Sequence, residues 1–380
     1  MKTKILIFGP SPNLSTGYGK LGKYLYQALN NEPNFEVWYL GLQMIGYQEN
    51  PHFLPIANST GSNILPTYLK KIQPDIFISI LDHWMPEWEY LQPLLSENKI
   101  KHLAHVTVNT VPCPFIIFNA IRNADHIVTP TDFVKEQLNR CGLSNVTTIY
   151  HGVNCSIFYP KKGLKDKEFV FIGLGCNKQH QKNWLTLLKA MQYLVYDLGV
   201  KTAKLKIVTE IDHPEGIDFS QAILQAGLSD YVTIFPTVRD TGFNEEQMAE
   251  LYNHADCYVS ASFGESFNYP QLESYACGLP SIVPDSTAMK ELTERSGAGM
   301  TVPIVCYIPT ESITEKAMVD YISLAEKMKE MTEMDRTLFK ENALKFAKEH
   351  DWEIIGKKWI SLIKEISKQK VDYIRGYLGI

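Results

Sequence analysis

Two glutamates, Glu265 and Glu273, lie eight residues apart in the stretch 261–280, the part of the chain best suited to chemistry. Residues 255–260 read as a short buried strand, and Pro270 stands in the first turn of an apolar-periodic helix. Such a helix N-terminus carries unpaired N–H donors and a partial positive charge, so it can hold a diphosphate. Because Glu265 precedes the helix and Glu273 lies inside it, the two carboxylates can hold different parts of one elongated ligand. The alternative is that both are solvated residues near a helix start, where acidic side chains are favoured.

This stretch resembles the E-x7-E signature of retaining glycosyltransferases of family 4, which have the two-domain GT-B fold. The resemblance rests on residues 264–270, Gly-Glu-Ser-Phe-Asn-Tyr-Pro, and on Cys-Gly-Leu-Pro at 277–280. Asn268 stands where relatives usually have glycine, and asparagine tolerates a left-handed backbone better than most residues. The resemblance implies that Glu265 contacts the transferred sugar beside the reacting carbon and that Glu273 binds the ribose hydroxyls. It also implies that the turn binds the donor phosphates, through Ser266, Phe267 and Asn268.

The positioning elements are predicted by alternating short apolar strands and helical segments, which favour parallel sheets wrapped by helices in both halves. The predicted strands cover residues 4–8, 36–40, 75–80, 102–108 and 126–129, then 169–173, 204–208, 232–235, 256–259 and 280–283. We therefore expect an α/β protein of the GT-B class, with two Rossmann-like, doubly wound parallel-sheet domains facing a central cleft.

Length and composition agree with two globular domains. The chain has 380 residues, 45% hydrophobic and 21% charged. We predict an acceptor-binding domain over 1–159, onto which a C-terminal helix at about 356–380 packs back, and a nucleotide-sugar-binding domain over 168–355. The polar stretch 160–167, with four lysines, reads as the linker between them. A membrane-facing basic patch is the alternative for this stretch.

A glycine-rich segment in the first half follows the first strand. Gly17, Gly19 and Gly22 fit G-x-G-x-x-G, but the first glycine is far from the strand end, and no acidic ribose partner follows a clear second strand. The resemblance implies instead that this segment is a loop that approaches the donor phosphates and the acceptor. A helix at 23–29 would follow the loop, and Gly17 is the donor-binding candidate within it. A plain mobile loop is the alternative.

Polar residues follow two further strands of the first half. Asp82 and His83 come after the strand at 75–80, and both are acceptor-site candidates. A structural, hydrogen-bonded role is the alternative for His83. Asn109 follows the strand at 102–108, where many relatives have a histidine that touches the transferred sugar, and its amide can still donate to a hydroxyl. His102 and the histidine three residues later cannot converge on one metal ion, because on a strand they point to opposite faces.

The second domain begins with a candidate diphosphate clamp. Relatives have an arginine followed by a lysine after the first strand of this domain; here Lys182 keeps the lysine and Asn177 takes the arginine position. Lys178 can supply the missing charge, although both lysines can also be surface residues. Where relatives recognise the nucleobase through backbone groups, this chain has Val238.

The resemblance implies front-face sugar transfer with retention, in which the leaving phosphate accepts the proton of the acceptor hydroxyl. Lys182 and the helix N-terminus after Glu265 would stabilise the leaving nucleoside diphosphate. The sequence has no D-x-D motif and no histidine cluster that would imply a metal ion. We therefore expect no metal and no cofactor, and a UDP- or GDP-type sugar as the donor. Two alternatives remain: a sugar-nucleotide epimerase of the same architecture, and a non-catalytic sugar-nucleotide-binding subunit.

Net charge and cysteine content limit which binding partners and which cellular compartment are expected. The net charge of −5 offers no global attraction to nucleic acid, and no apolar run approaches the ~20 residues that span a bilayer. The seven cysteines are scattered and never form C-x-x-C, so a reducing cytoplasm is expected. The expected acceptor is a glycan, a lipid or another hydroxyl compound, with peripheral membrane contact left open.

Overall fold

The computed structural model describes residues 2–45, 48–57, 64–84, 88–164, 168–178, 181–237 and 242–368. The chain divides into two compact units. The first comprises residues 1–108, 112–151 and 352–380, and the second comprises 109–111 and 152–351. The chain thus passes between units at 108/109, 111/112, 151/152 and 351/352, whereas the described part of the polar stretch 160–167 lies within the second unit.

The first unit is built on a seven-stranded parallel sheet in the order β3-β2-β1-β4-β5-β6-β7. Its strands are β1 (Thr3–Pro10), β2 (Phe35–Leu42), β3 (Phe53–Ile56), β4 (Ile76–Ile80), β5 (Lys101–His105), β6 (His126–Thr129) and β7 (Val146–Thr148). Its helices are α1 (Gly17–Asn30), α2 (Leu65–Ile72), α3 (Trp88–Glu97), α4 (Phe115–Ile121), α5 (Asp132–Arg140) and the last helix of the chain, α13 (Trp352–Lys368).

Helix α13 packs in the first unit through its aromatic residues. The Trp352 ring stacks on Tyr24 with 5.1 Å between ring centroids, and Trp359 is buried. Gly356 approaches Ala28 of α1. The helix starts four residues before the predicted position, and residues 369–380 of that prediction lie outside the described residues.

The second unit contains a six-stranded parallel sheet in the order β10-β9-β8-β11-β12-β13 and a separate antiparallel hairpin of β14 and β15. Its strands are β8 (Phe169–Leu174), β9 (Ala203–Thr209), β10 (Val232–Pro236), β11 (Cys257–Val259), β12 (Ser281–Pro284), β13 (Gly299–Val302), β14 (Cys306–Pro309) and β15 (Glu315–Met318). Its helices are α6 (Trp184–Tyr196), α7 (Phe219–Gln225), α8 (Glu245–Asn253), α9 (Tyr269–Ala276), α10 (Thr287–Ser296), α11 (Tyr321–Glu333) and α12 (Thr337–Glu349).

Both predicted parallel sheets are confirmed. They could be predicted because central strands that are buried on both faces appear in the sequence as continuous apolar runs. The strand predicted at 102–108 ends at His105, where its ladder with β4 and β6 stops. Among the described helices, none is long and apolar enough to cross a bilayer.

Helix α1 corrects the interpretation of the glycine-rich segment. The helix starts at Gly17 rather than at residue 23, because the Thr16 hydroxyl accepts the Gly19 amide at 3.1 Å and caps the first turn. Gly17, Gly19 and Gly22 therefore lie in the helix, and the loop is confined to residues 11–16.

Candidate active site

The turn between β11 and α9 has the geometry that the sequence motif predicts. Asn268 is the N-cap residue of α9 with φ 75° and ψ 69°, and a proline occupies the first turn. The Asn268 side chain is buried, accepts a hydrogen bond from Tyr258 Oη at 3.0 Å and donates to Gln271 Oε1 at 3.2 Å. Asparagine thus adopts the left-handed conformation usual for glycine, and its amide ties the turn to the helix.

Glu265 forms an ion pair with Lys182 inside the second unit. Lys182 Nζ lies 2.5 Å from Glu265 Oε1, and the side chains are only 15% and 17% exposed. The Ser262 hydroxyl donates to the same carboxylate oxygen at 2.6 Å. The Glu265 main chain is held by the Thr287 hydroxyl, which accepts its amide at 3.1 Å. Glu265 is therefore a positioned carboxylate rather than a solvated residue at a helix start.

Lys182 remains charged in this environment. Burial, the largest single effect, lowers the pKa of Lys182, but the Glu265 carboxylate together with Tyr258 and Cys176 raises that pKa above its ordinary value. The aliphatic stem of Lys182 lies across Gly175, where a Cβ atom would collide with it. Because Gly175 has no side chain, the Lys182 side chain can pass over it and reach Glu265.

Glu273 is buried on α9 with 3% of its surface exposed. Tyr252 Oη donates to Glu273 Oε2 at 3.1 Å. Burial first, and then the neighbouring carboxylate, raise the Tyr252 pKa, so the phenol keeps its proton and remains a donor. Like Glu265, Glu273 is not a solvated surface residue.

The remaining donor-binding candidates of the second unit differ in their surroundings. Phe267 is buried, with its ring 5.4 Å from that of Tyr269, and Ser266 is partly buried in the same turn. Lys178 is exposed. Val238 lies outside the described residues.

Asn177 has a structural role at the position where relatives have arginine. Its Nδ2 donates to the Ile217 carbonyl at 2.9 Å, and its Oδ1 accepts the Ile217 amide at 3.0 Å. The side chain is 2% exposed. Both polar ends of Asn177 thus hold the segment around Ile217, and no charge stands at this position.

Asn109 belongs to the second unit with the two residues that follow it, although residues 108 and 112 belong to the first. Its carbonyl oxygen lies against Gly264, where a Cβ atom would clash. Val111 and Glu315 of β15 pair as an antiparallel bridge, with N···O distances of 3.1 and 2.6 Å. This pairing brings Asn109 next to Gly264, the residue before Glu265.

Asp82 lies in a hydrogen-bonded cluster of the first unit. Tyr18 Oη donates to Asp82 Oδ1 at 2.8 Å and lies 2.6 Å from Thr107 Oγ1. The three residues follow β1, β4 and β5, so their cluster lies at the carboxyl edge of the sheet, where ligands of open parallel sheets bind. Gly17 directly precedes Tyr18 in the first turn of α1.

His83 is buried beside two other polar side chains. It is 2% exposed, and its Nε2 lies 3.2 Å from Ser79 Oγ, which in turn lies 2.8 Å from His102 Nε2. His105 instead pairs with His151, with 3.0 Å between their Nε2 atoms. His102 and His105 therefore have separate partners, as their spacing on a strand predicts. Within the described ranges, no three His, Cys, Asp or Glu side chains are grouped to hold a metal ion.

Some residues of the site were missed by sequence reasoning. Ser262 and Gln181 adjoin motif residues, but nothing in their types indicated contact with Glu265 or Gly264. Tyr252 reads as an ordinary apolar helix position. Lys316 lies 135 residues from Gln181, the side chain it contacts, so no local pattern could have indicated it.

The protein is an α/β protein of two units. Its second unit has the strand, turn and helix arrangement that is typical of nucleotide-binding domains. Residues 166–316 match the family model described as "Glycosyl transferases group 1". The predicted resemblance to family 4 glycosyltransferases is therefore confirmed, and residues 166–316 are a glycosyl transferases group 1 region.

Similar proteins agree with this assignment. A GDP-mannose-dependent alpha-(1-6)-phosphatidylinositol dimannoside mannosyltransferase of Mycobacterium tuberculosis is 29% identical over 256 residues, or 61% of this chain and 63% of the relative. The match thus spans less than two thirds of that relative's length.

Solved structures confirm the GT-B fold. Sucrose-phosphate synthase from Thermosynechococcus elongatus matches with a TM-score of 0.77 at 17% identity, over 96% of this chain and 99% of that chain. Anabaena HepE in complex with UDP-glucose matches with a TM-score of 0.73 at 14% identity, over 95% and 99% of the two chains.

Proposed function

We propose that this protein is a retaining glycosyltransferase that moves a hexose from a nucleoside-diphosphate sugar to an acceptor hydroxyl without a metal ion. The observation that carries the proposal is the Lys182–Glu265 ion pair at the turn before α9, with the buried Glu273 on the helix itself. A cation beside a helix N-terminus can stabilise an anionic leaving group, which supports the proposal.

Each residue has a role in the proposed reaction. Glu273, oriented by Tyr252, binds the ribose hydroxyls. Lys182 and the N-terminus of α9, with Ser266, Phe267 and Asn268, bind the diphosphate. Glu265 and Asn109 contact the sugar. Lys178, which is exposed, stays a predicted contact to the diphosphate. Val238, outside the described residues, stays a predicted contact to the base.

The bond changes balance without a metal ion. The bond from the anomeric carbon to the phosphate oxygen breaks, and a bond to the acceptor oxygen forms on the same face of the sugar. The acceptor proton passes to the leaving phosphate. The negative charge that grows on that phosphate is stabilised by Lys182 and by the helix terminus.

The relatives support a nucleoside-diphosphate-sugar donor. The mycobacterial mannosyltransferase is described as GDP-mannose-dependent, and HepE was solved with UDP-glucose. A UDP- or GDP-type donor thus stays the proposal. The acceptor is proposed to be a glycan, a lipid or another hydroxyl compound, bound in the first unit around Asp82 and His83, and Gly17 stays a predicted donor contact. A cytoplasmic location stays a prediction.

A donor panel tests the proposal. Thermal unfolding with UDP-, GDP- and ADP-sugars should reveal one stabilising donor class, because a ligand at a hundredfold excess over Kd stabilises by about 2.7 kcal/mol. That donor is then incubated with and without acceptors, with and without EDTA, and the anomeric configuration of the product is read by NMR. Lys189→Ala, an exposed lysine of α6, is the control for Lys182→Ala.

Each outcome bears on the proposal. Transfer with retention that survives EDTA supports it. Appearance of an epimerised donor without acceptor would identify an epimerase instead, and donor binding without transfer or hydrolysis would identify a non-catalytic subunit. Stabilisation by none of the donors overturns the proposal.

A further inference from the structure

The proposed diphosphate site has a deficit of positive charge. Asn177 is neutral, and its two polar ends are taken up by the Ile217 backbone. Lys182 is paired with Glu265 at 2.5 Å, so the two charges largely cancel for an approaching anion. A further cation would strengthen the binding of a diphosphate in this partly buried site.

Lys316 lies beside this ion pair. Its Nζ donates to Gln181 Oε1 at 2.6 Å, and Gln181 Nε2 donates to the Gly264 carbonyl at 2.6 Å. Gln181 precedes Lys182 and Gly264 precedes Glu265, so one glutamine links the ammonium group to both halves of the ion pair. An ammonium has three N–H donors, and the Gln181 contact uses one of them.

The hairpin fixes the position of Lys316. Strand β15 pairs with β14 in register, so that Lys316 lies opposite Ile308. The Ala317 amide donates to the Phe263 carbonyl at 3.0 Å, two residues before Glu265. On the other side of Lys316, Glu315 pairs with Val111. Backbone hydrogen bonds on both sides of Lys316 thus hold its Cα in place, which reduces the entropy lost when the side chain binds a ligand.

The electrostatic environment favours binding of an anion. Burial lowers the pKa of Lys316, and the Glu265 carboxylate partly opposes this effect. A partly buried ammonium has lost part of its hydration, so an incoming phosphate oxygen replaces a weaker set of contacts than it would at an exposed lysine. Lys178, the nearby lysine predicted from sequence, is exposed and has no such environment.

We propose that Lys316, carried by the β14–β15 hairpin, binds the diphosphate of the donor and supplies the positive charge that Asn177 lacks. The inference rests on the proposed function, because it names a further phosphate-binding residue of the same site. The ammonium keeps its hydrogen bond to Gln181 and donates a second one to a phosphate oxygen. Lys182 can then keep its ion pair with Glu265 while its other N–H donors face the diphosphate.

Three variants at one position test this role. Lys316→Gln keeps an N–H donor for Gln181 but removes the charge, Lys316→Met keeps the aliphatic stem, and Lys316→Arg keeps the charge. The control is Lys189→Gln on α6. Calorimetry measures Kd for UDP and GDP, and for UMP and GMP, and thermal unfolding confirms that each variant is folded.

We expect the neutral variants to bind the preferred nucleoside diphosphate at least tenfold more weakly than the wild type, because a hydrogen bond to a charged group is lost. Binding of the monophosphate should fall less, and the arginine variant and the control should stay within about threefold of wild type. Raising the salt concentration should weaken diphosphate binding more in the wild type than in Lys316→Gln.

Other outcomes separate this inference from the proposed function. If the wild type binds the diphosphate and the neutral variants bind it equally well, the role of Lys316 is wrong while the proposed function stands. If Lys316→Arg is as weak as Lys316→Met at the same unfolding temperature, a positive charge at this position is not what binds the diphosphate, which also overturns the inference. If the wild type binds neither UDP nor GDP, both proposals fail.

Discussion

Lys182 and Glu265, 83 residues apart in the sequence, meet as an ion pair with a 2.5 Å separation between Nζ and Oε1. The pair joins the loop after β8 to the turn before α9. It holds a cation at the start of a helix, and the burial of both side chains keeps water from screening their charges. The pair is therefore the first target for testing the proposed chemistry.

Replacing Lys182 by alanine should lower kcat by more than tenfold, because the substitution removes the cation that stabilises the leaving diphosphate. Steady-state kinetics with the donor found in the panel would measure the change. Lys189→Ala is the matched control, since Lys189 is exposed on α6 and its partners, Gln192 and the Tyr321 ring, do not belong to the proposed site. An unaltered turnover of Lys182→Ala would remove Lys182 from this role.

Replacing Glu265 by glutamine should separate binding from transfer. The variant keeps the shape of the side chain but leaves Lys182 without its carboxylate, so we expect diphosphate affinity equal to or tighter than wild type. We expect transfer to fall by more than tenfold. Calorimetry and turnover on the same preparation measure the two quantities; a parallel loss of both would show that Glu265 serves mainly to hold the site together.

The Glu265→Gln variant also has an expected pH dependence. Glu265 raises the pKa of Lys182, whereas burial lowers it. Without the carboxylate the burial effect remains, so Lys182 should lose its proton at a lower pH than in the wild type. Diphosphate affinity measured between pH 7 and 9.5 should therefore decline earlier in the variant, and identical profiles would contradict this coupling.

Replacing Tyr252 by phenylalanine tests whether Glu273 binds the ribose. The substitution removes the hydrogen bond to Glu273 Oε2, which is worth about 0.5–1.5 kcal/mol, so nucleotide affinity should fall about two- to tenfold. The loss should vanish for a 2′,3′-dideoxynucleotide, which lacks the hydroxyls that Glu273 would bind. An equal loss for both nucleotides would show that Tyr252 acts through packing alone.

Replacing Asn268 by glycine and by alanine separates backbone strain from side-chain hydrogen bonding. Both variants lose the hydrogen bonds to Tyr258 and Gln271, but only the alanine variant has a strained backbone at φ 75°. The left-handed backbone costs a residue with a Cβ about 1–2 kcal/mol, so Asn268→Ala should be less stable than Asn268→Gly by about 1 kcal/mol. Urea unfolding measures this difference, and equal stability of the two variants would argue against it.

Buried histidines make the stability of the first unit dependent on pH. Burial lowers the pKa of His102 and of His105 to about 3, and the pKa values of His83 and His151 fall as well. The unfolded chain takes up these protons near pH 6.5 whereas the folded unit does not, so stability should fall as the pH drops below about 6.5. Each such histidine contributes about 1.4 kcal/mol per pH unit down to its folded pKa.

Urea unfolding at pH 7.5 and pH 5.5 would measure this slope. Replacing both His105 and His151 by leucine should flatten it, since two titrating groups are removed from the unfolded state. His213→Gln is the control, because no buried pair involves His213. An unchanged slope in the double variant would place the acid sensitivity in other groups.

The local frame of the site follows from the order of residue types along the chain. The alternation of apolar strands and helical segments predicted both parallel sheets, and the motif at 264–280 predicted the turn, the helix start and the place of Asn268. These features depend on contacts between residues near in sequence or on periodic burial, so a pattern reveals them. Strands β7 (Val-Thr-Thr) and β13 (Gly-Met-Thr-Val) were not predicted because neither contains a run of adjacent aliphatic residues, whereas the equally short β6, β11 and β12 were predicted.

The convergence of side chains could not be predicted in this way. Gln181 meets Lys316 across 135 residues, and Tyr18 meets Asp82 across 64. Lys316 lies beside Gln181 because its hairpin pairs with Phe263 and Val111, and the Asn177 side chain binds the backbone of Ile217. Contacts of this kind depend on how distant strands and loops pack in three dimensions. The spacing of residues within one segment therefore cannot predict them.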